Sequence, residues 1–169
     1  MHFEKISFEQ WYSDISLINV DSLVVRKWYA NIELPKQGTQ HSMGIDFCLP
    51  YAVNISPHNK IKIPTGIRWV CDAPNDKHYC MLIVPRSSIG IKYGLQLQNT
   101  IGVIDSDYYL ADNEGHIQLF FVNTSDETIS LPQHKAIAQG LIIPYSAPDG
   151  TESDNKRHGG FGSTDDNKK

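Results

Sequence analysis

HIQLFFVNTSDETISLPQHKAIAQGLII, which spans residues 116–143, holds three short apolar runs separated by turn-forming residues. The runs are His116–Asn123, Thr128–Leu131 and Ala138–Ile143, and Ile, Leu, Val and Phe predominate in them. Short runs of this composition, bounded by Ser, Asp and Pro, are typical of β-strands. The stretch therefore predicts three strands of an all-β fold.

The same texture extends towards the N-terminus. Further candidate strands are Leu23–Ile32, Gly44–Phe47, Ala52–Ile55, Lys60–Ile63, Gly66–Cys71, Tyr79–Val84 and Leu95–Leu97. The residues that break these runs include Pro35, Pro50, Pro57, Pro64, Pro74, Pro132 and Pro144. Short strands at close spacing favour a jelly-roll-like β-barrel or sandwich. Ser87–Lys92 could instead form a helical turn.

The two ends of the chain differ from this all-β middle. Ser7-Phe8-Glu9-Gln10 matches a capping box, with Ser7 as the cap and Gln10 reaching back, and predicts a short N-terminal helix. We expect a single domain over residues 1–147, in which residues 1–22 form an N-terminal extension. Residues 148–169 contain one large apolar residue, Phe161, among glycines and polar residues. They are either a plain disordered terminus or a flexible arm that folds over a ligand.

Composition excludes several functional classes. The net charge of −4 argues against a protein that coats nucleic acid, although a single anionic ligand needs only a local cluster of donors. Met1–Gln10 contains Glu4 and Glu9 and no apolar run, so we do not expect it to be a signal peptide; no stretch of the sequence approaches the length of an apolar membrane span. Its three scattered cysteines (Cys48, Cys71 and Cys80) indicate reduced thiols in a cytoplasmic protein. No pair of histidines is spaced as metal ligands, so we expect no metal ion held directly by protein side chains.

Two segments carry groups that suit phosphate chemistry. Asp46, in Gly44-Ile45-Asp46-Phe47, is either a solvent-facing edge-strand residue or an acceptor that orients the waters around Mg²⁺. Pro85-Arg86-Ser87-Ser88 is either an ordinary polar turn or a phosphate cradle, in which the guanidinium supplies a rigid fork of donors.

Three further segments complete the set. The first, Asn99–Tyr108, ends in Asp105-Ser106-Asp107-Tyr108 and is either a turn with two solvated acids or the site of a partly desolvated base. Desolvation would raise the pKa of Asp105 and suit it to abstracting a proton. Gln139 directly precedes the strand Gly140–Ile143. Its side chain either forms a hydrogen bond at the edge of the strand or contacts a ligand. In the tail, Lys156–Thr164 combines cations, glycines and hydroxyls that could wrap a phosphate, although it is not a P-loop.

Together and in this order, the five segments resemble the motifs of the homotrimeric dUTPase family, from about Gly44 to Thr164. The resemblance implies a jelly-roll protomer, a threefold trimer with active sites shared among three chains, and Mg²⁺ as cofactor. It also implies hydrolysis of dUTP to dUMP and pyrophosphate by attack of water on the α-phosphorus. That activity would limit uracil incorporation into DNA and supply dUMP.

The resemblance also implies roles for single residues. Asp105 would be the general base, Asp46 would orient Mg²⁺ waters, and Tyr108 would pack against the deoxyribose. The remaining expected contacts are Val103 and Ile104 in the sugar pocket with Gly102 beside them; Asn99 and the backbone of Gln118 at the uracil edge; Arg86, Ser87, Ser88 and Gln139 at the phosphates; Phe161 stacked on uracil; and Arg157, Gly162, Ser163 and Thr164 closing on the phosphates.

Three features depart from the family pattern. Residues 110–114 look like an insertion that extends a hairpin, and they could bind a protein partner. His134-Lys135-Ala136 replaces the usual Gly-acid-Arg of the fourth motif, which removes the expected support for Gln139. In the tail, either Lys156 or Arg157 could supply the phosphate-binding cation.

Two other functions remain open at this point. The dCTP deaminases share the fold and would need a Glu that acts on water at the cytosine ring, for which Glu114 is a candidate. However, the Arg that they place four residues after the first Ser of their Arg-Ser-Ser motif is Ile91 in this chain. Alternatively, a dUTPase-like scaffold could act as a regulatory binding protein through residues 110–114 or the N-terminal helix.

Overall fold

Antiparallel strands are the main secondary structure in this computed structural model, which describes residues 1–15, 20–72, 78–146, 148–151 and 158–159. The strands are β1 (His2–Lys5), β2 (Lys36–Gln37), β3 (Ile45–Cys48), β4 (Val53–Ile55), β5 (Lys60–Pro64), β6 (Ile67–Val70), β7 (His78–Pro85), β8 (Leu95–Leu97), β9 (Gly102–Asp105), β10 (Gln118–Asn123), β11 (Ile129–Leu131) and β12 (Ala136–Tyr145). The predicted all-β, jelly-roll-like fold is confirmed. Sequence reasoning missed β1, β2 and β9.

One five-stranded sheet organises the functional part of the molecule, in the order β2-β3-β12-β7-β9. Strand β12 lies in its centre and pairs with β7 from Ala138 opposite Pro85 to Tyr145 opposite His78. A second sheet has the order β5-β10-β8, and two short pairs, β1-β6 and β11-β4, complete the structure. Alternation along β10 buries Leu119, Phe121 and Asn123, as expected for a strand with one face in the core.

Helix α1 (Phe8–Ile15) begins where the capping signal predicts it. The hydroxyl oxygen of Ser7 accepts the Gln10 N–H at 3.1 Å. The second half of the predicted capping box is wrong: the Gln10 side chain donates forward to Asp14 at 3.0 Å. The Ser7 N–H donates instead to Glu114, which comes from a distant part of the chain.

The predicted strand Leu23–Ile32 is wrong, because helix α2 (Ser22–Ala30) occupies most of it. The Asp21 carboxylate caps this helix by accepting the Leu23 N–H at 2.7 Å. Val25 and Ile32 are buried and Trp28 and Tyr29 partly buried, whereas Leu23 and Val24 are exposed. The buried face follows i, i+3, i+4, i+7 spacing, a helical period inside an apolar run.

The hydrophobic core includes the N-terminal extension. Trp11 and Ile15 of α1 are buried with Phe47 of β3 and Trp69 of β6. The Trp11 indole N–H donates to the Pro64 carbonyl oxygen at 3.0 Å. Residues 1–15 and the buried face of α2 are therefore packed into the fold rather than attached to its surface.

Two shorter helical segments adjoin the strands that carry the predicted site. Helix α3 (Ser87–Tyr93) confirms the predicted helical turn and ends at Gly94, whose φ of 66° suits a glycine. A 3-10 helix, Tyr108–Leu110, follows β9. In the described part of the chain, no helix has both the length and the apolar character needed to cross a membrane.

Candidate active site

The predicted phosphate-binding residues meet at one edge of the five-stranded sheet. Asp46 of β3 lies opposite Gln139 of β12, and Gln139 lies opposite Val84 of β7. Arg86 follows the last residue of β7, and its guanidinium Nε lies 3.3 Å from the Asp46 carboxylate. The Asp46 side chain is 16% exposed and that of Arg86 41%. Carboxylate, amide and guanidinium thus share one half-open surface.

Gly44 explains how Gln139 fits into this surface. A Cβ at Gly44 would lie 2.0 Å from Gln139 Oε1, so only glycine leaves room for the amide side chain. The segment that departs from the family pattern is held elsewhere: the His134 N–H donates to Leu49 at 2.9 Å, and its ring lies 3.1 Å from Glu33. The Gln139 side chain therefore occupies the space that the missing Cβ of Gly44 leaves.

Ser87 and Ser88 follow Arg86 directly in the chain, because α3 begins at Ser87. The Arg86 N–H donates to the Ile137 carbonyl oxygen at 3.0 Å, which fixes the chain at this point to β12. Ser87 is exposed and Ser88 is half-buried. The structure therefore brings together the four predicted phosphate contacts in the described residues.

Asp105 ends the edge strand β9 and lies opposite Cys80 of β7. It is half-buried, whereas Val103 on the same strand is 59% exposed. Gly102, at the other end of β9, lies close to β7, because a Cβ there would approach Ile83 Cβ to 3.2 Å. The strand therefore holds Asp105 through pairing with β7.

The residues predicted at the uracil edge lie where β8 ends and β10 begins. The Gln98 N–H donates to the Phe120 carbonyl oxygen at 2.9 Å, so Asn99 comes next to the start of β10, where Gln118 lies. A Cβ at Gly102 would meet Asn99 Nδ2 at 3.9 Å, which places the amide against β9 as well. Amide and peptide groups that can read a base edge are thus close to the strand that carries Asp105.

Tyr108 is 6% exposed and firmly held. Its hydroxyl donates to the His116 carbonyl oxygen at 3.1 Å and accepts from Asn113 Nδ2 at 2.9 Å. Sequence reasoning assigned no role to Asn113 or His116. The signal that could have found them is the dense polar run Asp112–His116 directly before a buried strand.

The predicted hairpin extension at residues 110–114 is wrong, because the flanking strands do not pair with each other. Strand β9 pairs with β7, whereas β10 pairs with β5 and β8. The segment forms a turn whose Asp112 N–H donates to the His158 carbonyl oxygen at 3.1 Å. Binding of a separate protein to this segment stays a prediction.

Glu114 is bound to the N-terminal segment, which does not fit a deaminase role. Its carboxylate accepts the Ser7 N–H at 2.8 Å and the Ser7 hydroxyl at 2.5 Å. Burial acts to raise the pKa of Glu114, but the Ser7 hydrogen bonds outweigh it and the pKa is lowered. A Glu that exchanges protons with water near neutral pH works best with a raised pKa, which is the opposite of this shift.

Asp105, the predicted base, lies apart from the predicted phosphate-binding residues within one chain. Asp105 lies opposite Cys80 of β7, whereas Arg86 follows Pro85 at the end of that strand. The five positions from Cys80 to Pro85 span about 16 Å of extended strand. Arg86 also contacts Asp46 on β3, which lies on the opposite side of β7 from β9. Arg86 and Asp105 therefore lie on different sides of β7, near opposite ends of that strand.

The side chains near Asp46 suit a metal ion that takes its direct ligands from substrate and water. Within the described ranges, no group of three or more His, Cys, Asp or Glu could hold one. Asp46 offers a carboxylate beside the phosphate-binding residues, which fits Mg²⁺ that takes its direct ligands from substrate phosphates and water. Predictions for Lys156, Arg157, Phe161, Gly162, Ser163 and Thr164 lie outside the described residues.

Comparison with known proteins gives a consistent result. Residues 30–165 match the family model described as dUTPase. The chain is 38% identical over 138 residues to the deoxyuridine 5'-triphosphate nucleotidohydrolase of Lactococcus lactis, covering 80% of this chain and 89% of that protein. The crystal structure of dUTPase from Streptococcus mutans superposes with a TM-score of 0.68 at 31% identity, covering 89% of this chain and all of that one.

A more distant structure shows the fold alone. It is a mutant dUTPase from phage phi11 of S. aureus, with a TM-score of 0.59 and 19% identity over 74% of this chain and 92% of that one. That structure was described as revealing the coordination of a structural Mg(II) ion.

Proposed function

Because this chain belongs to the dUTPase family, it hydrolyses dUTP to dUMP and pyrophosphate, and we propose that Asp105 activates the attacking water. The observation that carries this role is the position of Asp105 at the end of β9, half-buried and next to the uracil-edge group. As a carboxylate it would accept a proton from water while the water oxygen bonds to the α-phosphorus and pyrophosphate leaves.

The phosphate-binding edge would hold the triphosphate. Arg86 supplies charge, and Ser87, Ser88 and Gln139 supply hydrogen-bond donors around it. Asp46 would orient the water ligands of Mg²⁺, and the metal, when bound, would neutralise charge on the phosphates. The Asp46–Arg86 contact supports this, because it keeps both side chains at the same edge before substrate arrives.

The other group would read the base and the sugar. Asn99 and the backbone of Gln118 lie together at the ends of β8 and β10, where a uracil edge could pair with them. Tyr108 would pack against the deoxyribose and leave no room for a 2′-hydroxyl. Val103 and Ile104 would line the same pocket, beside Gly102.

The separation of the two groups supports a site shared between chains of a homotrimer. Arg86 and Asp105 lie too far apart along β7 to act on one phosphate within a chain. A threefold arrangement would place Asp105 of one copy beside Arg86 of the next. Val103 and Ile101 lie close to Asp105 in the chain, and their apolar side chains are 59% and 45% exposed. The second copy could cover them.

The C-terminal arm, residues 148–169, would close the site. Phe161 would stack on uracil, while Arg157 (or Lys156), Gly162, Ser163 and Thr164 would close on the phosphates. The contact between Asp112 and His158 supports an arm that passes close to the turn after Tyr108. Closure would exclude bulk water from the reacting phosphate.

We also propose that the enzyme works in the cytoplasm. Cys48, Cys71 and Cys80 are all free thiols, which is typical of a reducing compartment.

Turnover of dUTP, dCTP and UTP with Mg²⁺ tests the proposal, with pyrophosphate and ammonia assayed separately. We expect pyrophosphate from dUTP, far less from UTP, and no ammonia from dCTP. Ammonia release from dCTP would show that the chain is a deaminase.

A further inference from the structure

Helix α1 contacts the segment after Tyr108 at both of its ends. At its start, the N–H and hydroxyl of Ser7 donate to the Glu114 carboxylate at 2.8 and 2.5 Å. In its last turn, the Asp14 carboxylate lies 2.5 Å from His116 Nδ1. Ser7 and Asp14 precede residue 30, where the match to the family model begins. The contacts are therefore made by a part of the chain that lies outside the match.

The His116 ring is held from two sides and is fully buried. Its Nε2 accepts the Gly66 N–H at 2.8 Å, so the ring proton is on Nδ1 and is donated to Asp14. The carbonyl oxygen of the same residue accepts the Tyr108 hydroxyl at 3.1 Å. The position of the ring therefore fixes the backbone group to which Tyr108 is bound.

The turn between Tyr108 and His116 is tight, so it transmits small displacements. Gly115 has φ 69°, and a Cβ there would lie 2.4 Å from Tyr109 Cα. Glu114 has φ 59°, a left-handed conformation that costs energy for a side-chain-bearing residue and that its bonds to Ser7 help to hold. Asn113 joins the turn to the Tyr108 hydroxyl at 2.9 Å.

From these contacts we propose that α1 positions the sugar pocket. Asp14 and Ser7 hold the turn 113–116, the turn holds Tyr108, and the three together set the preference for dUTP over UTP. This rests on the proposed role of Tyr108 against the deoxyribose. Asp14 and Ser7 touch no substrate and are positioning residues. Asp105 is held separately, by the pairing of β9 with β7.

The test compares Asp14→Ala, Asp14→Asn and Glu9→Ala, with kcat and KM measured for both dUTP and UTP. In Asp14→Ala, we expect the ratio of kcat/KM for dUTP to that for UTP to fall about tenfold, as for loss of a buried hydrogen bond to a charged group. The kcat for dUTP should stay close to native. Asp14→Asn keeps an acceptor for His116 and should restore the ratio. Glu9 is exposed on the same helix, so Glu9→Ala controls for loss of an acidic residue.

A double variant shows whether Asp14 acts through Tyr108. If it does, adding Asp14→Ala to Tyr108→Phe should lower the ratio no further than Tyr108→Phe alone. Ser7→Ala gives an independent route if Asp14→Ala does not fold, because it removes one hydrogen bond to Glu114 and leaves the His116–Asp14 contact. It should lower the ratio in the same direction.

Tyr108→Ala separates this inference from the role of Tyr108 itself. If Tyr108→Ala lowers the ratio while a folded Asp14→Ala and Ser7→Ala both keep it native, α1 has no part in sugar selection and the inference is wrong. If Tyr108→Ala keeps the ratio native, Tyr108 does not read the sugar, and both the proposed role and the inference are wrong.

Discussion

Asp105 and Arg86 differ in what holds them in place. Asp105 is fixed by main-chain pairing of β9 with β7, whereas the Arg86 side chain is fixed by the Asp46 carboxylate at 3.3 Å. Asp105→Asn removes the charge but keeps the size of the side chain and the pairing of β9 with β7, so we expect the local fold to stay intact. The two residues can be tested separately by substitution.

Asp105→Asn should keep dUTP binding and lose about 10²–10⁴-fold in kcat, the usual contribution of a general base. An amide preserves the shape of the side chain but cannot accept the proton of the attacking water. Steady-state pyrophosphate release gives kcat, and binding of a non-hydrolysable dUTP analogue gives affinity. Asp107→Asn, two residues along the same segment, is the matched control and should retain most turnover. Native kcat in Asp105→Asn would rule out the base role.

Buried His116 makes stability depend on pH. Burial lowers its pKa, and the hydrogen bond to Asp14 only partly opposes that shift. The unfolded chain therefore binds more protons as the pH falls through about 6.5, so the free energy of unfolding should fall with it. Burial raises the pKa of Asp14, but hydrogen bonds from His116 and Gln10 outweigh it, so Asp14 stays ionised in this window.

Denaturant unfolding at about pH 7.5 and about pH 5.5 measures this effect. His116→Gln, which removes the titrating ring, should show a smaller loss of stability on acidification than the native protein. His41→Gln, at an exposed position, should behave like the native protein. Equal pH dependence in His116→Gln and the native protein would contradict the assignment.

Single residues also show the limit of sequence reasoning about the site. Residue type and order were enough to select Asp46, Arg86, Gln139 and Asp105. The contact between Asp14 and His116 was not predictable, because these residues are 102 positions apart and meet only in the folded chain. Long-range contacts of this kind leave no local pattern.

At the scale of elements, strands were easier to predict than helices. In the described part of the chain, ten of the twelve strands have six residues or fewer. Strand β8 (Leu95–Leu97) was nevertheless predicted to the residue, because turn residues bound it on both sides. Helix α2 was taken for a strand because its apolar residues are consecutive, and only burial shows that Val25, Trp28 and Ile32 form one face. Local composition favoured a strand, and packing decided for a helix.

We predict that the C-terminal arm is the segment whose removal affects activity most directly. Removing residues 157–169 should leave a folded trimer whose kcat/KM for dUTP is lowered about a hundredfold, since correct closure positions the reacting groups. Removing only residues 165–169 keeps Phe161, Ser163 and Thr164, and should leave activity near native. Turnover and thermal unfolding of both truncations provide the measurement. Native turnover without residues 157–169 would refute a role for the arm.

At the scale of the whole molecule, the five-stranded sheet separates the two halves of the proposed site. Asp105 lies on edge strand β9, on one side of β7. The Arg86 side chain extends in the opposite direction and contacts Asp46 of β3. The order of the motifs predicted the family, but their division between two ends of one strand could be seen only in the structure. This division supports our proposal that a complete site takes Asp105 from one chain and Arg86 from another.

Subunit mixing tests this claim most directly. Asp105→Asn and Arg86→Ala proteins should each be nearly inactive as homotrimers. If they are dissociated, mixed in equal amounts and reassembled, each mixed trimer regains one site with both native residues. Random assembly should then restore about a quarter of native dUTP turnover, because about three quarters of the trimers are mixed. Turnover that stays at the level of the separate variants after proven subunit exchange would show that Asp105 and Arg86 act within one chain.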